Sequence, residues 1–315
     1  MRKAEPFNFP ERCLPTLQDF RAAAARIAPY IRRTPVLRAT VDGRPVALKL
    51  EHLQVTGVFK IRGALNALVT AKEEGALPSR VVTASGGNHG LGVATAARWL
   101  GVPATVYVPA TVPEAKARRI AAAGADVVKT GSTYADAERA ARDLAAREGL
   151  YYVHAYDDPA VVAGQGTVGL EIRADLPECD VVAVPVGGGG LLAGVSGAIA
   201  PIRAVAVEPG GCPTLHAAVA AGEPVEVGAD SVAASALGAS RIGDLALAAY
   251  RANPVGLALV SDAAILAARD RLWEEFRLAV EPAAATVFAA WLAGQVSGEN
   301  PCLLLSGANA EWTPS

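Results

Sequence analysis

The chain has 315 residues, 52% of them hydrophobic, and a formal net charge of −2. That length and content support a large buried core, in one large domain or two moderate ones. Near-neutral charge, with arginines mixed among acids as in Arg139-Ala140-Ala141-Arg142-Asp143, gives no electrostatic case for nucleic acid or an anionic membrane.

In chain order, the patterning predicts a helix over Leu17–Ala28, a strand over Val46–Leu50 and a helix over Arg62–Glu74. Three strand–helix units follow: Arg80–Ala84 with His89–Leu100, Ala104–Val108 with Glu114–Ala123, and Asp126–Lys129 with Tyr134–Glu148. Beyond them come a helix over Pro159–Ala174, a strand over Val181–Pro185, a helix over Leu191–Ile199 and a strand over Ala204–Val207. Helices over Asp262–Phe276 and Pro282–Ala293 precede a last strand over Cys302–Leu305. Strands that read as continuous apolar runs and alternate with helices predict parallel sheet covered on both faces. The block from about 80 to 150 suffices for a small open sheet. The expected division is a large domain of residues 1–78 and 152–315 and a small domain of residues 79–151.

Four segments carry candidate chemistry. Lys60 lies in Gly57-Val58-Phe59-Lys60-Ile61-Arg62-Gly63, and the chain holds only six lysines, none beyond Lys129. Most lysines are solvated surface charges, but apolar neighbours and flanking glycines predict a partly buried amine. Burial disfavours the ammonium and leaves an amine able to form a Schiff base. Ser85-Gly86-Gly87-Asn88-His89-Gly90 joins a strand to a helix, and its hydroxyl and amides suit a carboxylate or a phenolic oxygen. Asn88 also reads as a helix N-cap, and His89 as a structural hydrogen-bonding residue. Gly187-Gly188-Gly189-Gly190 follows an apolar strand and opens a helix, an arrangement that exposes backbone N–H groups to an anion, most often phosphate. A ligand-free tight turn is the simpler reading, although one or two glycines would serve it. Ser306 sits where the last strand runs into a polar turn, at the sheet edge where ligands of open α/β folds collect, and it also reads as a plain turn serine.

The glycine loop admits a second ligand. Gly188, Gly190 and Gly194 fit a GxGxxxG dinucleotide pattern, and Glu208 ends the next strand where an acid suits ribose hydroxyls. A nicotinamide-dependent oxidoreductase is therefore an alternative, but it leaves Lys60 unexplained. A phosphate-bearing aldehyde accounts for both.

The cysteines (Cys13, Cys179, Cys212 and Cys302) form no CxxC pair or Cys/His cluster, so neither a disulfide scaffold nor a zinc site is expected. Met1 to Pro10 shows no signal-peptide apolar segment, and no uninterrupted run of about 18 apolar residues occurs. A cytoplasmic protein is the expectation.

Together these segments resemble the fold-type II pyridoxal-phosphate enzymes, in the branch of serine/threonine dehydratases and serine racemases. The resemblance runs from Ile31-Arg32-Arg33-Thr34-Pro35-Val36-Leu37 to Ser306-Gly307-Ala308-Asn309. It passes through Leu48-Lys49-Leu50-Glu51-His52-Leu53-Gln54, Lys60-Ile61-Arg62-Gly63-Ala64, Gly164-Gln165-Gly166-Thr167 and Glu281-Pro282. It implies a fold like that of the tryptophan synthase β subunit, with pyridoxal 5'-phosphate as cofactor. Lys60 would be the Schiff-base lysine and would move the Cα proton. Phe59 would line the cofactor, Asn88 would bond its ring oxygen, and Ser306 would bond its pyridine nitrogen. Gly187, Gly188, Gly189, Gly190 and the Leu191 amide would hold its phosphate. Ser85, Gly86, Asn88 and His89 would receive the substrate carboxylate. The implied activity is dehydration and deamination of L-threonine and/or L-serine; another β-elimination or β-replacement is the alternative within the fold, and a non-catalytic binding protein a poorer one. Relatives of this kind are often homodimers.

Departures from the family pattern sharpen the reading. The racemases carry a second serine in the Asn-His loop, thought to protonate the opposite face; Gly86 stands there, so little racemisation is expected. Cysteine and threonine synthases usually have a KDR-like sequence after the lysine; Lys60-Ile61-Arg62 and His89 are closer to dehydratases. Val58 replaces a usual serine, and Ser231 stands where glycine is common. Some relatives bind a divalent cation near Glu208 with an acid six residues on; here that position is Thr214, no metal is expected, and Glu208 is read as meeting solvent or a helix N-terminus. The chain stops at Ser315, so the regulatory domain of biosynthetic threonine dehydratases, and control by isoleucine, are not expected.

Overall fold

Residues 13–309 are described by the structure, a computed structural model. The readings of Met1–Pro10 and of the chain end at Ser315 lie outside the described residues.

Among the described residues, ten strands run as β1 (Val36–Val41), β2 (Arg44–Lys49), β3 (Val81–Ala84), β4 (Ala104–Val108), β5 (Ala125–Lys129), β6 (Tyr151–Tyr152), β7 (Val181–Pro185), β8 (Arg203–Pro209), β9 (Val255–Val260) and β10 (Pro301–Leu304). The first six α-helices are α1 (Leu17–Ile27), α2 (Lys60–Glu73), α3 (Asn88–Trp99), α4 (Glu114–Ala122), α5 (Tyr134–Glu148) and α6 (Pro159–Asp175). The others are α7 (Gly190–Ile199), α8 (Thr214–Ala221), α9 (Ala234–Leu237), α10 (Asp244–Ala252), α11 (Asp262–Phe276) and α12 (Pro282–Leu292).

Two sheets form, as expected for two mostly parallel α/β domains. The larger has the order β1-β2-β10-β7-β8-β9 and the smaller β5-β4-β3-β6. Among the strand pairs of the described residues, only β1–β2 is antiparallel. Successive strand residues serve opposite faces. Val181 and Ala183 pack with α12 residues such as Val287 and Phe288. Val182 and Val184 pack with Val168 and Ile172 of α6 and Leu192 and Val195 of α7. The smaller sheet is likewise covered by α2 and α3 on one face and α5 on the other. Burial on both faces is why the strands read as continuous apolar runs.

Local signals set several helix ends. Thr133 and Asp136 form a capping box on α5, and Gly149 closes it with φ 64°. Asp158 caps α6, where Pro159 needs no donor. The sequence reading missed β1, β6, β9 and α8 to α10. For β1 a signal existed: Asp42 and Gly43 both have positive φ (51° and 74°), the two-residue hairpin turn that Asp-Gly favours. Its exposed edge position weakened the apolar pattern.

Candidate active site

Lys60 is the first residue of α2, two positions earlier than the sequence pattern placed that helix. Its loop is clasped to the turn after β10. Val58 bridges Gly307, the Phe59 amide donates to the Ser306 carbonyl at 3.2 Å, and the Ala308 amide donates to Gly57 at 2.9 Å. The first turn of α2 is anchored from behind by Arg62, which is wholly buried. Its guanidinium donates to both oxygens of Glu51 at 2.8 and 2.7 Å and to Glu171 at 2.8 Å, while Lys49 Nζ reaches Glu171 at 2.7 Å. Each charge in this group has a partner, the condition under which burial is tolerable.

The Lys60 amine faces a cleft also lined by Phe59, Asn88, Tyr156, Gly187, Gly188, Gly189, Gly190, Leu191, Glu281 and Ser306. The structure thus brings together every residue that the sequence assigned to a cofactor. Lys60 Nζ donates to the Ala155 carbonyl at 2.8 Å and sits 5.2 Å from the centre of the Phe59 ring. Burial lowers its pKa from 10.5 to about 8, against the opposing pull of Glu281. Ser306 is buried just beyond β10.

Opposite the amine, β7 ends and the four glycines turn into α7. Gly189 has φ 84°, a conformation in which a side chain is strained. A Cβ on Gly188 would run into the Tyr156 ring, and one on Gly187 would lie 2.8 Å from the Leu237 Cα. These glycines are needed for close approach as well as for turning. The first amides of α7 lack intrahelical acceptors and point their positive dipole end into the cleft.

Asn88 opens α3. Rather than capping it, the side chain is held at both ends: Nδ2 donates to Glu281 at 2.9 and 3.2 Å, and Oδ1 accepts from Asn309 at 3.0 Å. Glu281 is 3% exposed, and burial raises its pKa, with the Asn88 bond opposing. Gly86 and Asn88 line a second, adjoining pocket with Lys116 and Arg119. Ser85 Oγ accepts from the Gly87 amide at 3.2 Å. The His89 ring is buried, paired with the Val153 carbonyl at 3.1 Å, and does not line the cleft. Burial and the nearby Lys60 lower its pKa to about 3, so the ring is neutral.

Sequence reasoning assigned no role to Glu281, Tyr156 or Asn309. Pro282 at the first position of α12 marks Glu281 as a helix-entry residue, and Glu281 and Asn309 both lie in segments that carry the resemblance, though neither was given a role. Val58 and Ser231, the two departures noted above, are both spent elsewhere: Val58 is fully buried, and Ser231 Oγ donates to Asp262 at 2.6 Å.

Glu208 corrects the dinucleotide alternative. Its carboxylate is 0% exposed and accepts from the Leu215 and His216 amides at 2.7 and 3.0 Å, with His216 Nδ1 at 2.6 Å. It meets the N-terminus of α8, not solvent, and is out of reach of a ribose hydroxyl.

A family model described as pyridoxal-phosphate dependent enzyme matches residues 27–307. The L-threonine ammonia-lyase of Geobacter sulfurreducens is 38% identical over 297 residues, which span 91% of this chain and 73% of that protein. Among solved structures, the threonine deaminase of T.th. superposes with a TM-score of 0.88 at 37% identity, covering 95% of this chain and 100% of that one. Maize serine racemase does so with a TM-score of 0.90 at 33% identity, covering 95% of each chain.

Proposed function

Because the chain belongs to the family of pyridoxal-phosphate dependent enzymes, we propose that it is an ammonia-lyase converting L-threonine and/or L-serine to 2-oxobutanoate or pyruvate plus ammonia. The observation that carries this reading is the Lys60 amine, with its pKa lowered to about 8, facing the four-glycine turn across a single cleft.

The residues present fit the cofactor. The glycine turn is a cradle that side chains would fill, and its free amides suit a phosphate. The Lys60 amine suits an aldehyde, with the Phe59 ring beside it. Asn88, oriented by Glu281 and Asn309, would hold a ring oxygen; Ser306 would meet the ring nitrogen. Gly187, Gly188, Gly189, Gly190 and the Leu191 amide would hold the phosphate.

When bound, the cofactor supplies a carbonyl for the substrate amine and an electron sink for the bond broken at Cα. Ser85, Gly86, Asn88 and the opening amides of α3 would receive the substrate carboxylate. His89 contributes through its backbone, since its ring is engaged with Val153. Lys60 Nζ, its pKa lowered to about 8, takes the Cα proton in its neutral form. The proton taken from Cα and the β-hydroxyl leave together as water, and hydrolysis of the resulting enamine gives the 2-oxo acid and ammonia. Ser306 would offer a neutral hydroxyl to the ring nitrogen, a partner that, unlike an aspartate, would not enforce its protonation.

Among the described residues no helix is long and apolar enough to cross a membrane. A cytoplasmic homodimer acting on a small amino acid, with the small domain at residues 79–151, completes the proposal. The test is 2-oxo acid release from L-threonine, L-serine and other hydroxy-amino acids by protein reconstituted with pyridoxal phosphate. Product from threonine or serine supports the reading; cofactor bound with neither substrate turned over sinks it.

A further inference from the structure

We propose that Thr214 is a positioning residue that sets the aim of the phosphate cradle. The inference rests on the phosphate seat proposed above.

The Thr214 hydroxyl is buried and reaches two acceptors, the Gly187 carbonyl at 2.6 Å and Glu208 Oε1 at 3.0 Å. It has one proton to give, and the nearer acceptor is the carbonyl. A peptide unit is planar and trans, so its C=O and N–H point opposite ways. Holding the Gly187 oxygen toward Thr214 therefore directs the Gly188 N–H the other way, toward the cleft that both glycines line. A glycine-rich turn has wide backbone freedom of its own, and a peptide flanked by two glycines is the easiest to flip. One side-chain bond on its carbonyl removes that freedom.

Thr214 is itself fixed from outside the turn. It opens α8, whose N-cap, Pro213, makes no side-chain capping bond. Glu208 supplies the cap from the neighbouring strand β8 through the Leu215 and His216 amides, and His216 Nδ1 closes on its second oxygen. A wholly buried carboxylate thus orders the helix start, the helix start places the Thr214 hydroxyl, and the hydroxyl orients the peptide before Gly188. A second tie acts from the far side, where the Gly243 amide donates to the Gly188 carbonyl at 3.0 Å. Thr214, Glu208 and Gly243 hold the turn without lining the cleft.

The experiment is equilibrium binding to cofactor-free protein, followed by absorbance, with pyridoxal phosphate and with pyridoxal as separate probes. Thr214→Val weakens pyridoxal phosphate by about ten-fold, the equivalent of one hydrogen bond. It leaves pyridoxal, which lacks the phosphate, within about two-fold, and Thr214→Ser restores native affinity. Unchanged affinity for pyridoxal phosphate in Thr214→Val overturns the proposal, and so does equal weakening of both probes, which marks a general packing defect. If the valine variant does not fold, Thr214→Ala is read in the same way. Native protein that fails to bind pyridoxal phosphate more tightly than pyridoxal would overturn the phosphate seat itself, and with it this inference.

Discussion

The carboxylate of Glu281 occupies a helix-entry position yet turns away from its own helix to receive the Asn88 side chain at 2.9 and 3.2 Å. The two residues are 193 positions apart. With Asn309 on the other end of the amide, Asn88 has one orientation available, and its oxygen and nitrogen are not interchangeable. Glu281→Ala removes both acceptors and lowers kcat/KM by about ten-fold or more. Glu281→Gln keeps one oxygen for Asn88 and loses less. Steady-state kinetics of the two variants decide the point; equal losses would show that charge, not orientation, is what Glu281 provides.

Lys60→Ala abolishes 2-oxo acid release, by at least about a thousand-fold, because attachment and proton transfer are lost together. Borohydride treatment of the reconstituted native protein fixes the cofactor to the peptide containing Lys60, which mass spectrometry locates. Turnover that survives the substitution, or a label on another lysine, contradicts the assignment.

The lowered pKa gives a pH signature. Below about 8 the Lys60 amine is protonated and cannot attack an aldehyde; above it the neutral form dominates. The rate at which cofactor-free protein takes up pyridoxal phosphate therefore climbs with pH and levels off near 8. A profile still rising toward 10.5 would place the amine in water.

How much of this was readable beforehand depends on how local each signal is. Lys60 and the four glycines carry their chemistry in neighbouring residues, and the structure brings them to one cleft as expected. Glu281 acts on a partner from a distant part of the chain, and no spacing rule announces that. Glu208 shows the same difficulty in reverse: a strand-end acid suits a ribose equally well until α8 is seen to begin against it. The helix itself was missed because LHAAVAA is apolar with little amphipathic contrast.

Arg62 offers a stability test. Its side chain is enclosed between Glu51 and Glu171, with Thr167 at 3.1 Å. Arg62→Ala leaves Glu51 buried without its cation and costs about 3–5 kcal/mol. Arg62→Lys cannot form the two-pronged bond and also destabilises, by less. Chemical denaturation of the cofactor-free proteins measures both; loss under about 1 kcal/mol in the alanine variant would mean that the group is not a structural anchor.

Gly86 predicts little D-serine from L-serine, since no side chain stands at that position to donate a proton, and chiral chromatography checks this directly. Adding the hydroxyl is not simple either. A Cβ on Gly86 would lie 2.6 Å from Val112 Cγ2, so Gly86→Ser requires that side chain to move. Racemisation gained in Gly86→Ser with Val112→Ala, but not in Gly86→Ser alone, is the expected result.

The last strand among the described residues, β10, enters the larger sheet between β2 and β7. Its following turn completes the clasp on Val58 and Phe59. A ribosome therefore delivers the reactive amine early and the piece that frames it late, with most of the chain between them. Until that middle slot is filled, the nascent chain has an open seam and no finished pocket. A chain interrupted before β10 emerges carries the lysine and the glycine turn but lacks Ser306 and the clasp on the Lys60 loop.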